Sequence, residues 1–188
     1  MASLGTLELG TFANVSNTNI VGTQPVLEAI ASANDLSYVH DSSNSTHTGV
    51  ASFALAAVPA DFSHVDTVSV QLRYAWESGT QTNSWDTLTA QIVESDGSTA
   101  LTDEVTVESA ITTTTPTDSS VIPMTNPNTS ADKTVWDEAL VLIRFGITRS
   151  KSGDDFQERV FAAEVTGTYT IAEPSTGIGW GYAVGGWW

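Results

Sequence analysis

The chain reads as all-β: one antiparallel β-sandwich of jelly-roll or Greek-key type, with about eight strands, one short N-terminal helix and extended terminal arms. Three observations predict this. Apolar and polar residues alternate at period two through most of residues 36–172, the pattern of strands with one buried and one wet face. Turn-forming clusters such as Asp96-Gly97 and the run SKSGDD at 150–155 punctuate that alternation. Only one stretch has helical spacing, and no internal repeat points to a propeller or solenoid. The expected organisation is an arm over 1–24, the sandwich with its leading helix over 25–172, and a Gly/Trp-rich tail over 173–188.

Each element has its own signal. Residues 1–24 are polar and punctuated by glycine, with only TLEL alternating, so an arm with at most one short strand is expected. PVLEAIASAND (25–35) opens on Pro25, which suits the first helical position, and brings Val26, Leu27 and Ile30 to one side. LSYVHD (36–41) alternates weakly. VASFALAAV (50–58) sets Ala51, Phe53 and Leu55 against Val50, Ser52 and Ala54, and Pro59 stops it. VDTVSVQLRYAWE (65–77) is the cleanest strand, with Val68, Val70, Leu72, Tyr74 and Trp76 on one face. WDTLTAQIVE (85–94) puts Leu88, Ala90 and Ile92 inward, and LTDEVTVESAI (101–111) has Val105 and Val107 in phase.

The Thr/Ser/Pro/Asn stretch 112–132 is a long connection holding one short strand at VIPM. In 134–150, Ala139, Val141, Ile143, Phe145 and Ile147 share a face while Leu140 and Leu142 occupy the other. A strand apolar on both sides belongs in the middle of a sheet. Trp136, just ahead of it, is expected in the core. FQERVFAAEVTGTYTIA (156–172) closes the set, with Phe161, Ala163, Val165, Gly167, Tyr169 and Ile171 in phase.

Charge narrows the partners. Against 22 acidic residues stand 6 basic ones, a net charge of -16. Phosphate binding needs a basic footprint, so neither nucleic acid nor an anionic membrane is expected as a partner. Such a surface suits a salty milieu, where its self-repulsion is screened. The longest apolar run, FALAAV (53–58), is far short of the roughly 20 residues of a membrane span. MASLGTLELG shows no secretion signal. There is no cysteine, so neither disulfides nor thiolate chemistry contributes.

Motifs for chemistry are few. No phosphate loop, nucleophile elbow or HExxH occurs. His40 and His47 flank the loop DSSNST, and His64 stands apart; solvated histidines account for all three. Asp154-Asp155, and Asp41 with Asn44, form acidic turns without the D-x-D-x-D-G spacing of a calcium loop. Glu77, Asp86, Glu104 and Glu164 lie in or beside strands, as solvent-face carboxylates do. The reading is therefore not an enzyme, with no cofactor and no metal site. A carbohydrate- or receptor-binding module is the alternative, with Trp85 and Tyr38 stacking on a host surface glycan.

The order of landmarks resembles a known group. A helix PVLEAI precedes LSYVHD, then VSVQLRYAW, and later a tryptophan followed by LVLIRFGI and VTGTYTI. This layout, over about residues 20–172, is similar to β-sandwich virion structural proteins of tailed phages and related viruses, of the capsid decoration, head-fibre or tail-associated type. The resemblance implies a symmetric homo-oligomer in contact with other virion proteins, such as the major capsid or tail proteins. It implies assembly in the host cytoplasm and residence in the virion, and it carries no catalytic residues. The ends outside it, with Leu7 and Phe12 in the arm and Trp180, Tyr182, Val184, Trp187 and Trp188 in GIGWGYAVGGWW, are the expected assembly contacts. Aromatic rings are enriched as interface anchors.

Overall fold

The structure is a computed structural model that describes residues 2–7, 9–14, 20–22, 39–41, 47–77, 87–147 and 157–173. Among these, twelve strands and one short helix follow in order: β1 (Ala2–Leu7), β2 (Leu9–Asn14), β3 (Ile20–Gly22), β4 (Val39–Asp41), β5 (His47–Leu55), β6 (Phe62–Glu77), β7 (Thr87–Val93), β8 (Val105–Ser109), β9 (Thr117–Asp118), β10 (Ile122–Met124), α1 (Lys133–Asp137), β11 (Leu140–Ile147) and β12 (Gln157–Ile171). All pairings are antiparallel. One sheet has five strands in the order β2-β5-β11-β7-β8. The other has seven, in the order β10-β6-β12-β4-β3, with β1 also on β12 and β9 also on β6. The all-β expectation holds. The helix expected over 25–35 lies outside the described residues.

One core cluster draws on both sheets. The five-stranded sheet contributes Ala51, Phe53, Leu55, Leu88, Ala90, Ile92, Val141, Ile143 and Phe145. The seven-stranded sheet contributes Val65, Val68, Val70, Leu72, Tyr74, Val160, Ala163, Val165 and Tyr169. The inward face expected for β7 is the one buried, and of the two faces read for β5 and β11 the sets Ala51, Phe53, Leu55 and Val141, Ile143, Phe145 turn to the core. β11 lies between β5 and β7, and Leu142 on its other face is also buried, which is why that strand is apolar on both sides.

Four expectations are corrected. Residues 2–14, expected as an arm with at most one strand, carry two: β1 joins one sheet and β2 the other, a single residue apart. The segment 134–150 is not one strand. Asp132 accepts the Val135 N–H at 3.2 Å and caps α1, and the strand begins only at Leu140. In strand phase Trp136 would share the outer face of Leu140 and Leu142. The helical turn instead swings it into the core, where it is fully buried. Its burial outweighs leaving the indole N–H unpaired among the described residues, a cost of about 1–3 kcal/mol.

The third correction concerns β12. Phe161 and Ile171 were expected in phase with Ala163 and Val165. The register slips between Val160 and Ala162, leaving Phe161 as a bulge residue buried outside the core cluster. Ile171 is exposed. The fourth concerns β6, which starts at Phe62 rather than Val65. Two further slips leave Ser63 and Asp66 unpaired against β12, so the core residues Phe62, Val65 and Val68 recur every third position. Period-two reading misses a strand that is bulged twice in five residues.

Two buried hydroxyls carry the ladders past the ends of short strands. Ser119, just after β9, accepts the Leu72 N–H on Oγ and donates its own N–H to the Leu72 carbonyl. Thr102 does the same for Ile92 in the other sheet, through its Oγ1 and N–H. Each satisfies a core backbone group that would otherwise be orphaned. The Asp96-Gly97 turn also forms as expected, with Gly97 at φ 73. Asp96 accepts from the Thr99 hydroxyl and from the Thr99 and Ser98 amides, which hold its carboxyl down at about 2.

Two predictions follow from packing and charge. Gly146 stands opposite Thr87, and a Cβ there would run into the Thr87 hydroxyl. Gly146→Ala should cost about 1 kcal/mol in urea unfolding, and adding Thr87→Ala should recover most of it in a double-mutant cycle. Between the sheets, the Tyr74 hydroxyl donates to Glu108 Oε2 at 2.9 Å. Burial, then that bond and the Glu108 charge, push the phenol from 10.0 up to about 12. A raised folded-state value stabilises below the unfolded value and is lost as pH climbs through the folded one. Stability should therefore fall between about pH 10 and pH 12, and Tyr74→Phe should flatten that limb in denaturant titrations.

Candidate functional site at the paired chain ends

The most fully built local arrangement among the described residues lies where the chain begins and its last strand finishes. Ala2 of β1 stands opposite Tyr169 of β12, so the start of the chain runs beside the end of the last strand. Immediately beyond β12, the Ala172 N–H donates to the Asp61 carbonyl at 2.7 Å. The Tyr169 hydroxyl donates to Asp61 Oδ1, also at 2.7 Å. That bond, then burial and the Asp61 charge, raise the Tyr169 phenol above its ordinary value. One residue in the β5–β6 loop thus holds the end of β12 twice, once through backbone and once through side chain.

The loop is itself pinned from the other side. Val58 donates its N–H to Asp137 at 2.9 Å and accepts from Lys133 Nζ at 3.1 Å. Lys133 also pairs with Asp137 at 2.6 Å, one turn along α1. Leu55 N–H continues the connection to the Ala139 carbonyl at 3.0 Å. Phe62 wedges between these parts. Its ring stacks on Tyr169 at 5.6 Å and meets Trp136 at 6.5 Å. β5 ends at Leu55, and Pro59 lies within the loop, where its carbonyl accepts the Phe62 N–H at 3.1 Å.

Polar groups continue along the same edge. Thr170 Oγ1 donates to Asp66 at 3.1 Å, His64 Nε2 lies 3.6 Å from Asp66, and Ser63 Oγ contacts His64 Nδ1 at 3.3 Å. Both bulge residues of β6, Ser63 and Asp66, belong to this network. The bulges turn them out of the ladder and toward His64, the re-aiming that bulges commonly perform. At the clamp, Ile171, Ala172 and Glu173 are exposed, with Ala60 and Asp61 exposed beside them. The surface is apolar at its centre and acidic at its margin.

The residues expected from sequence fall as follows. Leu7 of β1 lies opposite Val165, and Phe12 of β2 opposite Phe53, so both positions are paired within their own chain. Trp180, Tyr182, Val184, Trp187 and Trp188, together with Trp85 and Tyr38, lie outside the described residues. His40 pairs in register with Arg159 and Val21, and His47 with Ile147, on different sheets. Glu104 accepts from the Thr89 hydroxyl and pairs with Arg144 at 3.3 Å. Glu77 and Glu164 stand opposite Gln157 and Gln71 on β12 and β6. Asp86, Asn44, Asp154 and Asp155 lie outside the described residues.

Among the described residues no three His, Asp or Glu side chains gather as a metal site would require. None of the described helices is long and apolar enough to cross a membrane. Sequence reasoning missed Asp61, Phe62 and Tyr169 as a group. The only signal was a proline-ended run followed by ADF, and nothing in it announces a partner 108 positions away. No protein-family model matches the chain, and no curated protein does.

The register sets a sharp contrast. Phe62 and Ile171 face each other across β6 and β12, yet Phe62 is 4% exposed and Ile171 48%. Phe62→Ala should cost roughly 3–5 kcal/mol, whereas Ile171→Ser should stay near or below about 0.5 kcal/mol, both read by thermal or urea unfolding.

Proposed function

We propose that the chain is a structural subunit of a tailed virus's virion, decorating the capsid or forming part of a head fibre or tail, and assembling as a symmetric oligomer through its ends. The fold behind this reading is a jelly-roll β-sandwich of eight principal strands. Its support is the pairing pattern. β1 pairs with β12, β5 with β11, β6 with β10 and β7 with β8: first with last, and so on inward. Successive pairs alternate between the two sheets. A long antiparallel ribbon rolled on itself produces this order, and the β6–β12 and β7–β11 pairings are the contacts made on rolling. Double-sheet rolls of this kind serve in viral capsid and lectin domains.

One observation carries the assembly part. The nested order brings β1 beside β12, so the C-terminal segment expected to grip a neighbour continues from Glu173 at the edge that β1 shares, while Leu7 and Phe12 are paired within the two sheets. In this reading Trp180, Tyr182, Val184, Trp187 and Trp188 are apolar plugs on a glycine stem that enter a groove on a neighbouring subunit. The entropy lost on fixing that stem is offset by burial of the rings. The resemblance of landmark order to phage virion proteins supplies the virion context. The acidic, cysteine-free composition is compatible with a particle held together by packing and symmetry.

Deleting residues 177–188 tests the reading. The truncated chain should keep its circular dichroism and melting temperature but fail to enter particles and sediment as a monomer. Incorporation at the full-length level would refute the tail as an anchor. In purified virions, mass spectrometry should find the chain at a fixed ratio to the major capsid protein. Binding on a glycan array that is lost with Trp85→Ala would instead favour the carbohydrate-binding alternative.

A further inference from the structure

We infer that Asp61 is a positioning residue for the C-terminal tail: it fixes the end of β12, from which the chain continues into that tail, and so sets how strongly one copy grips the next. This rests on the tail-mediated assembly proposed above and adds the residue that governs it. A tail tethered to a frayed strand end must order the strand end as well as itself on docking, and each backbone residue so ordered costs conformational entropy. Here that ordering is done in advance. The Ala172 N–H and the Tyr169 hydroxyl both end on Asp61, each at 2.7 Å. Asp61 sits on a loop that α1 holds through Val58, Lys133 and Asp137. The Tyr169 ring is stacked on Phe62, which reaches the fully buried Trp136. The Ala172 amide is therefore tied through Asp61, Tyr169 and Phe62 to Trp136 in the core.

The exposure pattern agrees with a presenting role. Tyr169 is buried, while Ile171, Ala172 and Glu173 after it are exposed. Fraying would expose the Tyr169 ring and free the Ala172 amide together. Their shared acceptor makes the two events one, and a preorganised take-off raises affinity without adding any contact to the partner.

The test uses the full-length chain and three variants. Tyr169→Phe removes one of the two bonds to Asp61. Ala172→Pro removes the other by deleting the N–H donor. Asp61→Asn is the conservative variant, keeping both acceptor oxygens. Self-association is measured by sedimentation equilibrium, Ala172 amide exchange by mass spectrometry, and folding by thermal melts. Tyr169→Phe should raise Ala172 exchange and weaken self-association, each by about tenfold, the effect of one hydrogen bond of ordinary net strength. The melt should move by only a few degrees. Ala172→Pro should weaken association at least as much, and Asp61→Asn should stay close to wild type. Unchanged exchange, or unchanged association, in Tyr169→Phe overturns the inference. The 177–188 deletion separates the causes: if the deletion also leaves association intact, the assembly reading falls with it. If the deletion abolishes association and Tyr169→Phe does not weaken it, only the positioning role falls.

Discussion

The antiparallel pairing of β6 with β12 is the constraint on which the remainder depends. It runs from Glu77 opposite Gln157 to Phe62 opposite Ile171. Every other strand of the seven-stranded sheet hangs on one of these two, directly or through β4. Their inward residues, Val65, Val68, Val70 and Leu72 on one and Val160, Ala163 and Val165 on the other, form one wall of the core. A slip of one residue would turn these side chains outward and bring Ser69, Gln71 and Thr166 in. Register is thus specified by burial. Because the partners lie far apart in sequence, their loop must close before any of this burial is gained, which marks a slow, non-local folding reaction.

Bulges adapt that ribbon to two jobs. Along its middle it keeps strict alternation and lines the core. At one end the slips at Ser63 and Asp66 release polar residues that join His64 and Thr170, while Phe62 and Val65 stay inward. At the other end the slip at Phe161 changes phase so that Val160 and Ala163 both serve the core. A similar slip in β8 leaves Val107 extra, and it lets Val105, Val107 and Glu108 all turn toward the interior, where Glu108 meets Tyr74. The same device that shapes the core also builds the polar edge beside the chain ends.

Much of the fold was legible in the residues. The alternation in VASFAL, TLTAQIV and LVLIRF predicted the strands β5, β7 and β11, and for β7 the inward face, because a sheet with one buried face imposes period two on its sequence. The double-sided apolar pattern of β11 predicted its central place. VIPM predicted β10, and Asp96-Gly97 predicted its turn. The strands in residues 2–14 left little trace, since GTLELGTFAN is short, glycine-broken and weakly alternating. Phe161 was misassigned because a bulge is a backbone event that hydrophobicity does not record, and Ile171 because it sits at the end of β12, where being in phase does not bring burial.

Sequence alone determined the class of the molecule: all-β, acidic, without cysteine, with its apolar stripes at period two and an aromatic tail on glycine. These are local properties, set by which side chains can be buried on a pleated surface and by how much charge a surface carries. Tertiary structure decided which strands meet, where each register slips, and that Asp61, Phe62, Trp136, Tyr169 and Ala172 converge on one edge. Those choices belong to partners separated by up to 108 positions, and no local pattern encodes them. They are settled by the requirement that every buried backbone group find a partner while both sheets close over a single core.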